Sequence, residues 1–169
     1  MREPVQLDEL DFALLEALHS DPKVGALELS RRLRVARATV SARLRRLEDT
    51  GVIADYRPRI GLAAAGFDVQ AFVTMEIVQG ALEAVTEVLE AIPGVLEAFA
   101  TTGAGDILCR IGADSHMGLQ QTLIELNRSS IVARSTSVMV LSEVVSYRAM
   151  PLLRTLEPGR SAKAPAYRH

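Results

Sequence analysis

The chain has 169 residues, 49% hydrophobic and 24% charged, enough for one ordinary globular domain or two small ones. Aromatic residues make up 4% and Trp is absent, so a core must be built from Ala, Val, Leu and Ile, and no apolar run approaches the ~18 residues of a membrane-spanning helix. The net charge of −2 is unevenly spread: residues 1–60 carry 11 basic and 10 acidic side chains, residues 61–147 carry 3 and 10, and residues 148–169 carry 5 and 1, which points to a polyanion met by the first part alone.

The first predicted element is a helix over “LDELDFALLEALHSD”. Asp8 is placed to accept from the amides of the first turn, and Asp11 favours the positive end of the helix dipole. Leu7, Leu10, Leu14 and Leu18 recur at helical spacing with Leu15 beside them, and Pro22 breaks the helix. A short helix from about Ala26 to Leu33 turns Leu29 and Leu33 inward. A third, from about Ala36 to Asp49, carries Val40, Leu44 and Leu47 on one stripe. Its opposite side shows Ala38, Ala42 and Arg45, flanked by Arg37, Ser41 and Arg46.

Residues 31–46, “RRLRVARATVSARLRR”, hold seven arginines (31, 32, 34, 37, 43, 45 and 46) and no acid. A helix that meets only solvent mixes acids with bases for intrahelical pairs. Charges of one sign repel unless an anion offsets them, and two alanines leave a thin surface for close approach. The pattern predicts a helix-turn-helix whose second helix lies in the DNA major groove. Arg37, Ala38, Ser41, Ala42 and Arg45 would face base edges; Arg31, Thr39 and Arg46 would meet phosphates. Gly51 ends the helix. “VIADYRPRI” then reads as a small hairpin or wing, with Arg57 and Arg59 reaching phosphates. The competing reading is a three-helix bundle with a solvated basic face.

This segment resembles the start of the Lrp/AsnC (leucine-responsive/asparagine-type) regulators in “LDELDFALLEAL” and “LELSRRLRVARATVSARLRRLEDTGVIADYRPRI”. The shared features are a paired-Asp first helix, a Leu-rich second helix, and a Thr-Val-x-x-Arg recognition helix running into Leu-Glu-x-x-Gly-Val-Ile. Two positions depart. Arg34 stands where the family's turn has Gly, and Ala36 where its recognition helix has a Ser cap. A residue other than Gly at positive φ costs about 1 kcal/mol, and a missing cap costs about 1 kcal/mol. The turn is therefore expected to be loose, or held on DNA by Arg34 on a phosphate.

In the remaining chain, “FDVQAFVTMEIV” alternates. Phe67, Val69, Ala71, Val73, Met75 and Ile77 face one way; Asp68, Gln70, Thr74 and Glu76 face the other, with Phe72 among them. “ALEAVTEVLEAIPGV” reads as a helix, with Ala81, Val85, Val88 and Ile92 inward. “VLEAFAT” and “DILCRIGA” read as strands joined by “TGAGD”. The lone Cys109 excludes an internal disulfide and fits a small buried residue. “HMGLQQTLIELNRS” is a second helix with Leu119, Leu123 and Leu126 inward, and “IVARSTSVMVLSEVVSY” a long final strand. The order β-α-β-β-α-β is ferredoxin-like. The fold class is thus α+β: a winged helix-turn-helix domain, then a ferredoxin-like βαββαβ domain. Two helices cover one sheet face. The other is partly apolar, and a second copy is the economical cover, which makes a two-fold homodimer.

This part resembles the effector-binding domain of the same family. Gly103, Ala104, Gly105 and Asp106 match its Gly-x-x-Asp loop, and Ser135-Thr136-Ser137 keeps the hydroxyls of its Thr-x-Thr pair. The resemblance implies that an amino acid or related small molecule binds near Gly103, Ala104, Gly105, Asp106, Ser135 and Ser137, between dimers, and tunes assembly into higher oligomers such as octamers. The residues themselves allow two roles. Loop amides can hold a carboxylate and Asp106 an ammonium, or Asp106 caps its own loop.

The expected organisation is a helix-turn-helix domain with a small wing over 1–60, a linker over 61–66, an effector-binding and dimerisation domain over 67–147, and a basic tail over 148–169 whose first half can pack and whose second half is disordered. The expected function is a sequence-specific, DNA-binding transcriptional regulator responding to an amino acid. It is not an enzyme and uses no cofactor or metal. Its partners are double-stranded DNA, copies of itself and the effector, with no membrane. “MREPVQLDEL” has no apolar signal core, so the expected location is cytoplasmic. Two alternatives stay open. A haem-precursor decarboxylase of similar architecture needs imidazole and cationic groups around a tetrapyrrole, whereas His19, His116 and His169 are scattered. An amino-acid-binding module with a degenerate DNA domain would fit the departures at Arg34 and Ala36.

Overall fold

Asp8 opens the first helix as its spacing predicts. In the computed structural model, which describes residues 4–156, α1 spans Glu9–Ser20. The Asp11 amide donates to the Asp8 carboxylate and the Asp8 amide to the Asp11 carboxylate, each at 3.0 Å, so two first-turn donors are satisfied reciprocally. Helices α2 (Ala26–Leu33) and α3 (Arg37–Asp49) follow. Leu14, Leu29 and Val40 are fully buried where the three meet, with Leu10, Leu33 and Leu44 packed around them. Burying each such side chain contributes roughly 1.5–3 kcal/mol. Gly51, at φ +76, ends α3 and its amide donates to the Glu48 carbonyl.

The described chain divides into two units, residues 4–58 with 146–156, and residues 59–145. In the first, a second cluster joins Leu7, Leu15 and Leu47 to Met150, with Phe12, Val52, Ile53 and Leu153 against it. Met150 opens the short helix α6 (Met150–Leu153). Arg154 donates to both carboxylate oxygens of Glu16, at 2.5 and 2.8 Å. The front of the C-terminal segment therefore completes the core of the helix-turn-helix unit. The disorder expected for its second half falls on residues outside those described.

The second unit begins near a single 3₁₀ turn, Ala63–Ala65. Its elements are β1 (Val69–Ile77), α4 (Leu82–Ala91), β2 (Val95–Ala100), β3 (Ile107–Ala113), α5 (His116–Arg128) and β4 (Val132–Met139). The strands pair antiparallel in the order β2-β3-β1-β4, as the β-α-β-β-α-β sequence predicts. Ala71, Val73 and Met75 of β1 and Ile107, Cys109 and Ile111 of β3 pack against Val85 and Leu89 of α4 and Leu119 and Leu126 of α5. The other sheet face stays open. Phe72 (39%), Phe99 (52%) and Val138 (65%) stand exposed on it.

Two local expectations are corrected. The final strand stops at Met139 rather than near Tyr147. Toward β4, β1 supplies its last ladder pair at Ala71 with Met139 and its last carbonyl at Gln70, which takes the Val140 amide at 2.9 Å. The hairpin expected over 52–60 does not form, and no strand lies between Asp49 and Val69. Pro58 cannot donate to a ladder. Asp55 bends the segment locally by accepting from the backbone amide of Arg57 at 3.0 Å.

Candidate nucleic-acid interface

The turn between α2 and α3 is held from both sides. The Val35 amide donates to the Ser30 carbonyl at 3.1 Å, and the Ser30 hydroxyl to the Val35 carbonyl at 2.6 Å. Arg34 sits at φ 54, ψ 41, the one positive φ outside glycine among the described residues. The turn expected to be loose is closed by these hydrogen bonds. Ala36 occupies the N-cap of α3 and offers no side-chain acceptor, as its type dictates.

Helix α3 buries Val40 and Leu47 completely. This turns the five residues expected at base edges outward: Arg37, Ala38, Ser41, Ala42 and Arg45 are all exposed. Arg37 and Arg45 make no hydrogen bond or ion pair among the described residues. Arg31 is 71% exposed and makes a long ion pair with Glu28 at 3.9 Å, while Thr39 is half-buried.

Arg32, Arg43 and Arg46 of the run are paired, which corrects the expectation that its charges repel unless an outside anion offsets them. Arg43 reaches Asp8 at 2.5 Å and Asp11 at 3.3 Å, Arg46 bonds Asp11, and Arg32 meets Glu28 at 3.1 Å and Asp21 at 3.0 Å. The anions that offset these charges lie elsewhere in the same unit. Asp11 has no exposed side-chain surface. Burial pushes the Asp8 carboxyl up, but the Asp11 amide and the Arg43 guanidinium outweigh it and hold the group below its ordinary value. Burial likewise opposes the charge on Arg43, and the Asp8 and Asp11 carboxylates hold it above its usual value. Arg46, expected on phosphate, bonds Asp11 and ties α3 to α1. A signal for this was present and unread: Asp8 and Asp11 share one face of α1 at a spacing of three, and so do Arg43 and Arg46 on α3.

Beyond α3, Arg57 folds onto Asp55 at 2.6 Å and Arg59 onto Glu143 at 3.1 Å. Both pairs are exposed, and such pairs contribute only about 0–1 kcal/mol, so a phosphate can displace the carboxylate. Tyr56 donates to Glu48 at 2.8 Å. Burial and that carboxylate push its phenol up to about 12, so it stays a donor.

In the second unit the loop before β3 is tightly fitted. Gly103 takes φ +118, and a Cβ on Gly105 would stand 2.3 Å from Thr74 Cγ2. Ala104 is exposed between them. Asp106 accepts from the Ile77 amide at 2.8 Å, where β1 shifts register against β4. One carboxylate oxygen is therefore spent on the end of β1 rather than on the loop that carries Asp106. Ser135 and Ser137 pair with Met75 and Val73 and share their helix-side face, and Ser135 donates to Asn127 at 2.9 Å. Thr136, between them, pairs with Thr74 on the open face beside Gly105. The expected effector residues are thus split between two faces. Cys109 is fully buried, and burial pushes its thiol up to about 11.

Two family descriptions match the sequence: “Winged helix-turn-helix DNA-binding” over residues 7–54 and “Lrp/AsnC ligand binding domain” over residues 70–150. An uncharacterized HTH-type transcriptional regulator of Pyrococcus abyssi is 33% identical over 83% of this chain and 89% of its own. The leucine-responsive regulatory protein of Rhizobium meliloti is 30% identical over 72% of this chain and 80% of its own. Among solved structures, a transcriptional regulator of Neisseria meningitidis in complex with L-Met superposes with a TM-score of 0.79 at 26% identity, covering 89% of this chain and 100% of that one.

Proposed function

From a chain that belongs to the Lrp/AsnC family of DNA-binding transcriptional regulators, we propose a sequence-specific reader whose exposed α3 strip enters the major groove. Its relatives are regulators rather than enzymes, which removes the decarboxylase alternative. The observation that carries the reading is the pairing pattern. Arg32, Arg43 and Arg46 are tied to acids, whereas Arg37 and Arg45 have no side-chain partner among the described residues and stand beside the exposed Ala38, Ser41 and Ala42. Arg31, Thr39, Arg57 and Arg59 are the phosphate partners in this reading; Arg46 is not. A bidentate arginine on guanine discriminates by about 1–3 kcal/mol. Arg37→Ala and Arg45→Ala are each expected to relax base preference at one position of a selected site, as read by binding to single-base variants. Loss equal at every sequence would sink the base-edge assignment.

The open sheet face supports a homodimer, with Phe72, Phe99 and Val138 covered by the same residues of a second copy. Light scattering should give twice 18.3 kDa or a multiple of it, an octamer among them; a monomer at micromolar concentration contradicts the pairing. The effector is an amino acid or a close relative, supported by the matched ligand-binding domain and by the L-Met of the Neisseria meningitidis relative. No helix among the described residues is long and apolar enough to cross a membrane; a cytoplasmic setting suits a protein that must reach DNA.

A further inference from the structure

We infer that Arg34 is itself a DNA-backbone contact, kept at a strained turn for its charge. The inference rests on the DNA-binding reading above and adds a residue to it. Arg34 holds the left-handed conformation that glycine adopts without penalty. Its backbone amide donates to the Arg31 and Ser30 carbonyls and so caps α2, as a glycine there would. The side chain is exposed and makes no hydrogen bond or ion pair among the described residues. Its neighbours behave otherwise: Arg32 is anchored to Glu28 and Asp21, and Arg31 leans toward Glu28. The conformation is held by that cap and by the two Ser30–Val35 hydrogen bonds that close the turn. An arginine held in a conformation that suits glycine, with no side-chain partner among the described residues, marks a place where strain is retained for function.

Location supplies the ligand. When the second helix of a helix-turn-helix lies in the major groove, the first crosses the sugar–phosphate backbone. The turn joining them then sits at the groove edge, where phosphates are the nearest anions. Arg34 lies three residues before the unpaired Arg37, so one free guanidinium stands at the rim and the next begins the exposed strip. A phosphate contact carries no base information, so Arg34 adds affinity and register rather than sequence choice.

The test turns on two effects of opposite sign. Arg34→Gly relieves the backbone and removes the charge. The thermal midpoint should rise, by roughly 3 °C for a chain of this size. Affinity should fall equally for every sequence, and the slope of log affinity against log salt should become shallower by about 0.9 per bound protomer. Arg34→Lys should keep the wild-type slope, and Arg34→Ala should lose it without the gain in midpoint. An unchanged slope in Arg34→Gly, with the wild type binding normally, overturns the inference and leaves the parent reading standing. A wild type that binds no fragment of genomic DNA removes both.

Discussion

Asp11→Ala is expected to destabilise the helix-turn-helix unit by about 3 kcal/mol, near the lower end of the range for breaking a buried ion pair. Asp11 is fully buried and accepts from Arg46, from Arg43 and from the Asp8 amide. Removing it strands the Arg46 guanidinium and leaves Arg43 with Asp8 alone. Arg46 has no slack to give, because its buried Nε already lacks a partner. The partial exposure of Arg43 (30%) and Arg46 (38%) keeps the cost from the top of the range. Urea unfolding followed by helical circular dichroism measures it, and a loss under about 1 kcal/mol, the level of a surface pair, would contradict the tie. The same cluster sets an acid limit. Asp8 is held below its ordinary value of 3.8, so its contribution is fully present above that pH and is lost as pH falls through the lower folded value. Melting of this unit should therefore weaken below about pH 4, and less so in Asp8→Asn.

Ala42→Glu is expected to abolish binding to a selected DNA site while leaving folding alone. Ala42 is exposed on α3, so the substitution should change stability by no more than about 0.5 kcal/mol. On DNA it inserts bulk and a carboxylate where the small side chain permits close approach. A like charge forced against a polyanion costs several kcal/mol, so affinity should drop by more than about 100-fold. Anisotropy titration and a melting curve on the same sample separate the two effects. Near-normal binding would place α3 away from the groove.

Local signals carried most of the fold. The Asp8 cap, the Leu10/Leu14/Leu18 spacing and the Pro22 stop define α1 because capping and helical periodicity act within a few residues. The alternation from Val69 to Ile77 gave β1 for the same reason. What escaped depends on partners far along the chain. Whether 140–147 is a strand is decided by where β1 begins, not by its own β-branched residues. Ser135 and Ser137 alternate with Thr136 in any strand, but the β1 register decides which set meets the helices. Arg46 looks like a phosphate ligand in a sequence window that excludes Asp11, 35 residues away. Met150 contributes to a core whose other members precede it by about a hundred residues or more.

The measurement that bears most directly on the proposal is a selection of genome fragments by the purified protein at about 0.1 M salt, with and without pooled amino acids. Retained fragments should share paired half-sites one or more helical turns apart, and their affinity should fall steeply as salt rises. A folded sample that retains no fragment above background under either condition would contradict an α3 strip shaped for DNA.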